Sequence, residues 1–314
     1  MKRRLKDVES AIERYLAQLD ETDQTEPPPD DAKTLQVKVA KLREEMVRLK
    51  KLEVRMLEAP DQQLSLTDPD ARSMNSRGTG VVGYNVQSAV DAKHHLIIAH
   101  EVSKVGSDRR QLSNIAKQAK AILDPKTKLT VVADKGYYNG DELRESEQND
   151  IVAYVAKPKT SPNKAKGYFD RSRFQYIRED DEYECPAGER LTFRTERVEG
   201  GKQIRRYWSS ACGSCAIKSQ CTNGKERRVS RWVHEDVLER AAKRLRRRPE
   251  VMNARRSLVE HTFGTLKSWT SSNHFLTRRL SGVSTETSLQ ILAYNMKRAI
   301  NLVGTTKIME AIDP

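Results

Sequence analysis

The chain has 314 residues, 57 Lys and Arg against 44 Asp and Glu, and a formal net charge of +13. That length buries a sizeable core, in one large domain with insertions or in two domains, and the charge points to a polyanionic partner. No apolar run approaches the roughly 20 residues of a membrane span, and the amphipathic start MKRRLKDVESAIERYL has no apolar signal core. The expected compartment is the cytoplasm, with no membrane partner.

Residues 1–20 place Leu5, Val8, Ile12, Tyr15 and Leu19 at alternating spacings of three and four, and residues 33–58 repeat this with Leu35, Val39, Leu42, Met46, Leu49 and Met56. Between them, ETDQTEPPPDD cannot continue a helix, because proline lacks the donor and clashes with the preceding turn. Residues 1–60 therefore read as a helical hairpin, a spacer or dimerising arm. The period then changes. VVGYNVQSAVD (81–91) and HLIIAHEVS (95–103) alternate like strands around the turn AKH. Residues 107–123 return to helical spacing through Leu112, Ile115, Ala119 and Ile122, with Ser107 as N-cap. KLTVVAD (128–134) is a continuous apolar run, as in a buried strand. GDELRESEQND follows as a helix and IVAYVA (151–156) as another strand. The expected fold is α/β, a mixed sheet flanked by helices, with residues 61–182 as the first part of this core and 157–182 as loop. Residues 183–231 form a Cys-rich insertion, and residues 232–314 supply closing helices. In residues 225–248 ten Lys or Arg face four Asp or Glu, and KRLRRR (243–248) is dense enough for phosphate contact. Leu289, Leu292, Ala293, Met296, Ile300 and Val303 mark the expected core stripe of the last helix.

Asp134 stands where a buried strand ends, the place where ligands and catalytic groups collect in open sheets with helical crossovers; capping the next helix is the alternative role. In RRSLVEHTFGTLKSW (255–269), Val259, Phe263 and Leu266 recur at helical spacing. Glu260 lies beside that stripe with Arg256 and Lys267 within roughly 40° of it on the helix wheel. Two carboxylates of this kind can share Mg²⁺, which prefers hard oxygen ligands, and a pair of such ions supports in-line phosphoryl transfer. The two cations then hold the nucleic-acid backbone, or else form an ordinary helix ion-pair network.

Here the residues carry a resemblance. VVADKGYYNGDEL, RRSLVEHTFGTLKSW and HFLTRRLSGVSTETSLQILAYNMKRAINLVG, together with QLSLTDPDARSM and VVGYNVQSAVDAKHHLIIAHEV, resemble bacterial insertion-sequence DDE transposases with a ribonuclease H-like (RNase H-like) catalytic core. The closing motif of that family is Tyr-x2-Arg-x3-Glu-x6-Lys. Arg256, Glu260 and Lys267 match it, and Asn253 stands where the Tyr would be. The resemblance implies that Asp134 is the second acid of the triad and Glu260 the third, holding Mg²⁺ or Mn²⁺, with Arg256 and Lys267 on DNA. It implies double-stranded DNA as partner (transposon ends and target), a homodimer, and a nucleoid-associated protein. The family's first acid lies in an Asp-Gly-Ser/Thr-Lys stretch that this chain lacks, so the chain is expected to be truncated at its N-terminus, with Asp68, Asp70 and Asp91 as weak candidates for that acid. Without a central first strand, residues 81–90 and 128–133 are expected either to leave a gap or to touch directly. A catalytically inactive DNA-binding remnant is the alternative.

Cys185, Cys212, Cys215 and Cys221 fall in the pattern Cys-x26-Cys-x2-Cys-x5-Cys, which points to a structural, ribbon-like Zn²⁺ site. A zinc-ribbon nucleic-acid-binding protein is the third functional reading. The dispersed histidines, His261 among them, read as structural.

Overall fold

The computed structural model describes residues 2–24, 29–76, 79–158, 162–269 and 274–312; the side chains of residues 2, 19–24, 29–32, 75–76, 162, 164, 254, 256–257 and 259–260 lie outside the description. The chain divides into two compact units. One comprises Met1–Asn85, Val102–Gly106 and Phe275–Thr285, the other Val86–Glu101, Ser107–His274 and Glu286–Pro314. Among the described residues no helix is long and apolar enough to cross a membrane.

In the first unit the apolar stripes close a helical hairpin: α1 (Lys2–Gln24) packs against α2 (Pro29–Glu58) and buries Leu5, Val8, Ile12 and Val39. Both helices reach further into the connecting segment than its composition implies. Proline is tolerated in a first turn, where its missing N–H would be unpaired in any case, so α2 begins at Pro29. β1 (Arg72–Ser76) and β2 (Thr79–Gly83) form an antiparallel pair with Arg72 opposite Gly83. The stretch 81–91, expected as one strand, is therefore divided at Tyr84, because its two halves pair with different strands.

β3 (Asn85–Val90) and β4 (Ile97–Ser103), which belong mostly to the second unit, form a two-stranded sheet. Their connection is closed by hydrogen bonds from Asp91 N–H to Leu96 O (2.8 Å) and from His95 N–H to Asp91 O (3.0 Å). α3 (Leu112–Leu123) buries Leu112, Ile115, Ala116 and Ala119, while Ile122 is exposed. Ser107 caps the 3-10 turn Asp108–Arg110 that precedes α3, accepting from Arg109 N–H, and not α3 itself. β5 (Leu129–Ala133), α4 (Gly140–Gln148) and β6 (Ile151–Val155) follow, and β5 pairs in parallel with β6 from Leu129 opposite Ile151 onward. Leu112, Ala133, Leu143, Ala153 and Val155 share one core with Val237 and Ala241. The single mixed sheet expected of an RNase H-like core is not formed among the described residues: β3–β4 and β5–β6 are separate two-stranded sheets. Among the described residues β3 and β5 share no backbone ladder, while Ala89 and Leu129 pack against the same cluster of Ala99, Ile115 and Ala119.

After α5 (Pro162–Ala165) come β7 (Gln175–Ile177), β8 (Glu182–Glu184), β9 (Arg190–Glu199), β10 (Lys202–Trp208) and β11 (Val229–Trp232), five strands in the order β11-β10-β9-β8-β7. The polar stretch 157–182, expected as loop, thus contributes β7. Its strand pairs antiparallel with β8, Tyr176 opposite Tyr183. The core of this sheet is Phe174, Tyr183, Leu191, Tyr207 and Val229.

The closing helices are α6 (Glu235–Arg247), α7 (Val251–Trp269), α8 (Arg279–Val303) and α9 (Thr305–Ile312). α6 packs against α4 and β6. On α8 the sequence pattern misidentifies the inner face. Val283, Thr287, Ile291 and Tyr294 are buried, whereas Leu289, Leu292, Met296, Ile300 and Val303 are exposed. The wheel positions of the two sets are opposite at about 100° per residue. Tertiary contacts hold the inner set: Asn295 Nδ2 donates to Ile97 O (2.8 Å) and Tyr294 O–H to His95 O (2.9 Å).

Candidate functional site

Asp134 follows β5 directly and is exposed. It caps the 3-10 turn Lys135–Tyr137, its Oδ1 accepting from Lys135 N–H at 2.7 Å. The cap uses one oxygen and leaves carboxylate lone pairs open to solvent, so both roles read from the sequence are compatible. α7, which carries Glu260, packs against β5. The side chains of Glu260 and Arg256 lie outside the described residues; Lys267 is exposed in the last turn of α7. The neighbouring Arg255 has an Nε that is buried without a hydrogen-bond partner among the described residues. His261 sets its ring edge-on to His95, 6.1 Å between centroids.

Beneath Asp134 lies a group of residues that the sequence pattern does not single out. Gln87, on β3, is only 2% exposed; its Nε2 donates to Asp108 Oδ1 at 2.8 Å, and its Oε1 accepts from Tyr137 O–H. Asp108 also sits against the turn that Asp134 caps: a Cβ placed on Gly136 would lie 3.5 Å from Asp108 Oδ2. The Tyr137 phenol is raised above its ordinary range by burial first and then by the charges of Asp108 and Asp134, opposed by Arg255 and by the bond to Gln87. Two carboxylates, a phenol and a guanidinium thus share one electrostatic neighbourhood at the carboxyl end of β5. The available signal was a Gln at an alternating position of an apolar strand, since a buried polar side chain needs partners.

The candidates for the first acid are otherwise engaged. Asp91 is a turn former, its Oδ2 accepting from His94 N–H at 2.5 Å. Asp68 Oδ2 accepts from Tyr84 O–H (2.7 Å) and from Arg279 N–H (3.1 Å). Asp70 binds Lys104 Nζ (2.6 Å) and accepts from Leu280 N–H (3.0 Å). These two carboxylates clamp the free N–H groups at the start of α8, where the helix dipole favours negative charge. Lys104 and then Leu280 N–H hold the Asp70 carboxyl below its usual range. For Asp68, burial acts upward but is outweighed by the bonds from Tyr84, Asp70 N–H and Arg279 N–H. A depressed carboxyl stabilises the fold above its unfolded value, near pH 4, and this contribution fades as pH falls through the lower folded value. Asp70→Asn is accordingly expected to lower the urea midpoint at pH 7, with the difference from wild type narrowing below about pH 4. An equal difference at pH 7 and pH 3 would contradict the clamp.

Much of the basic stretch is neutralised internally. Arg231 is buried against Glu239 and lies 3.6 Å over the Tyr176 ring. Arg240 pairs with Glu147 and Asp236, Arg244 with Glu147, and Arg248 with Glu250. Arg228 pairs with Glu226. Lys225, Lys243, Arg246 and Arg247 are exposed and have no carboxylate partner among the described residues.

The four cysteines do come together, lining one cavity of about 30 Å³ with Phe169 and Leu191, but the expected Zn²⁺ site is not supported. Among the described residues no group of three or more His, Cys, Asp or Glu side chains could hold a metal ion. All four are free thiols. Burial pushes the Cys221 thiol up, against Arg227 and with added effect from Cys212, Cys185 and Cys215. Cys185 and Cys221 instead pack on the aromatic core of the five-stranded sheet, as small apolar side chains do.

Residues 50–296 match the family described as transposase DDE domain. No curated protein and no solved structure matches the chain.

Proposed function

Because this chain belongs to the transposase DDE domain family, we propose that it binds double-stranded DNA and carries out magnesium-dependent strand cleavage and transfer for a bacterial insertion sequence. The observation that supports this most is Asp134, an exposed carboxylate at the carboxyl end of β5, with the helix bearing Glu260 packed on the same strand. The oxygen donors fit a hard divalent cation; when bound, such an ion supplies activation of the attacking oxygen and charge neutralisation at phosphorus. In this reading Asp134 and Glu260 hold the ion, and Arg256 and Lys267 grip the phosphodiester backbone beside it. Arg255, next to the Tyr137 phenol, adds a fixed positive charge to the site. The reaction is tested on DNA bearing the element's ends: cleavage that requires Mg²⁺ or Mn²⁺ and stops on chelation is the expected result. Retained DNA binding with no cleavage would leave the inactive remnant as the better description.

In this reading binding rests on Lys225, Lys243, Arg246 and Arg247, the exposed cations without a carboxylate partner among the described residues. Removing one phosphate-binding cation lowers the slope of log affinity against log salt by about one. Lys243→Gln and Arg246→Gln are each expected to weaken binding across sequences and reduce the slope by that amount. Arg240→Gln, which removes a cation already held by Glu147 and Asp236, should leave the slope unchanged. Equal slopes for all three variants in a fluorescence-anisotropy titration would contradict this assignment.

A further inference from the structure

We propose that Asp108 is a positioning residue that acts through Gln87 and Tyr137 to fix the turn presenting Asp134. The inference rests on the reading of Asp134 as a metal-holding carboxylate. β3 and β5 share no backbone ladder, so the register of the Asp134 turn against β3 must be set by side chains. Three of them form one continuous chain from β3 to that turn. Asp108 Oδ1 accepts from Gln87 Nε2 at 2.8 Å, which orients the amide so that its Oε1 faces the Tyr137 hydroxyl and accepts from it. Tyr137 ends the 3-10 turn whose first hydrogen bond is the Asp134 cap. The other Asp108 oxygen rests against Gly136, in the middle of the same turn.

The arrangement is over-determined. Gln87 is almost fully buried, and rotating its amide away from Asp108 and Tyr137 would break two hydrogen bonds where water does not readily replace them. A Cβ on Gly136 would stand 3.5 Å from Asp108 Oδ2, in ordinary contact, so the carboxylate lies directly against the turn. Without Asp108 the amide loses its anchor, the phenol loses its fixed acceptor, and Asp134 samples more than one direction. Partners that orient a ligating side chain contribute ~10–100-fold to metal affinity.

The test is Mn²⁺ binding to the full chain, followed by electron paramagnetic resonance, with thermal melts as the folding control. Asp134→Asn should remove the site. Asp108→Ala should weaken it by at least ~10-fold. Asp108→Asn keeps an oxygen that can accept from Gln87 and should stay within about threefold of wild type. Tyr137→Phe, which keeps the ring and removes only the hydroxyl, should weaken the site by several-fold on the same reasoning. If Asp134→Asn removes the site but Asp108→Ala and Tyr137→Phe do not change it, the positioning role is overturned while the catalytic reading stands. If Asp108→Asn loses as much as Asp108→Ala, Asp108 acts by its charge and the relay through Gln87 is wrong. Unchanged Mn²⁺ binding in Asp134→Asn overturns both readings.

Discussion

Asp134→Asn is expected to reduce DNA strand cleavage by ~10²–10³-fold or more, the size of loss that follows removal of one group stabilising charge in a transition state. Folding and DNA affinity should be almost unchanged. Asp134 is exposed, and an Asn keeps the side-chain oxygen that accepts from Lys135 N–H, so the turn is still capped. Glu260→Gln should behave alike. Asp68→Asn supplies the contrast: Asp68 is committed to Tyr84 and to the start of α8, so the substitution should affect stability and leave the cleavage step intact. Cleavage of supercoiled DNA in Mg²⁺, compared across the three variants, decides the matter. Wild-type cleavage by Asp134→Asn would remove this carboxylate from the chemistry, and a loss confined to Asp68→Asn would move the site elsewhere.

Tyr207→Ala is expected to lower the stability of the five-stranded sheet by ~3–5 kcal/mol, the usual result of deleting a fully buried aromatic ring. Tyr207 is completely buried, and its ring stands edge-on to Tyr183, Phe193 and Tyr176 at 5.2, 6.0 and 6.5 Å. Its hydroxyl donates to Asp181 Oδ1 at 2.8 Å, beside the Tyr176 hydroxyl at 2.7 Å. A domain of ordinary stability has only ~5–15 kcal/mol to lose, so this region should become the first to open. Tyr207→Phe keeps the ring packing and takes one donor from Asp181, which is still bonded by Tyr176 and Arg205; a loss of ~1 kcal/mol is expected. Hydrogen exchange across residues 175–232 reads both. Unchanged protection in Tyr207→Ala would show that the sheet is held mainly by something other than this cluster.

Local pattern by itself determined the elements whose periodicity was clean: the paired stripes of α1 and α2, the apolar run of β5, and the inner face of α3 at Leu112, Ile115 and Ala119. It also located Asp134 at a strand end and Glu260, Arg256 and Lys267 on one helix, because those statements depend only on residue order and helical pitch. Only the tertiary structure decided the rest, for three physical reasons. Where two apolar faces compete, packing chooses: α8 presents Val283, Thr287, Ile291 and Tyr294 inward and leaves the more apolar stripe of Leu289, Leu292 and Met296 outside. Charge runs do not reveal their partners, so Arg231, Arg240 and Arg244 looked available for phosphate although Glu239, Asp236 and Glu147 hold them. Pairings between residues far apart in the chain carry no spacing signal at all: the link between Gln87, Asp108 and Tyr137, and the clamp of Asp68 and Asp70 on α8 some 210 residues away, exist because folding brings those groups together and buried or helix-end polar atoms must be satisfied.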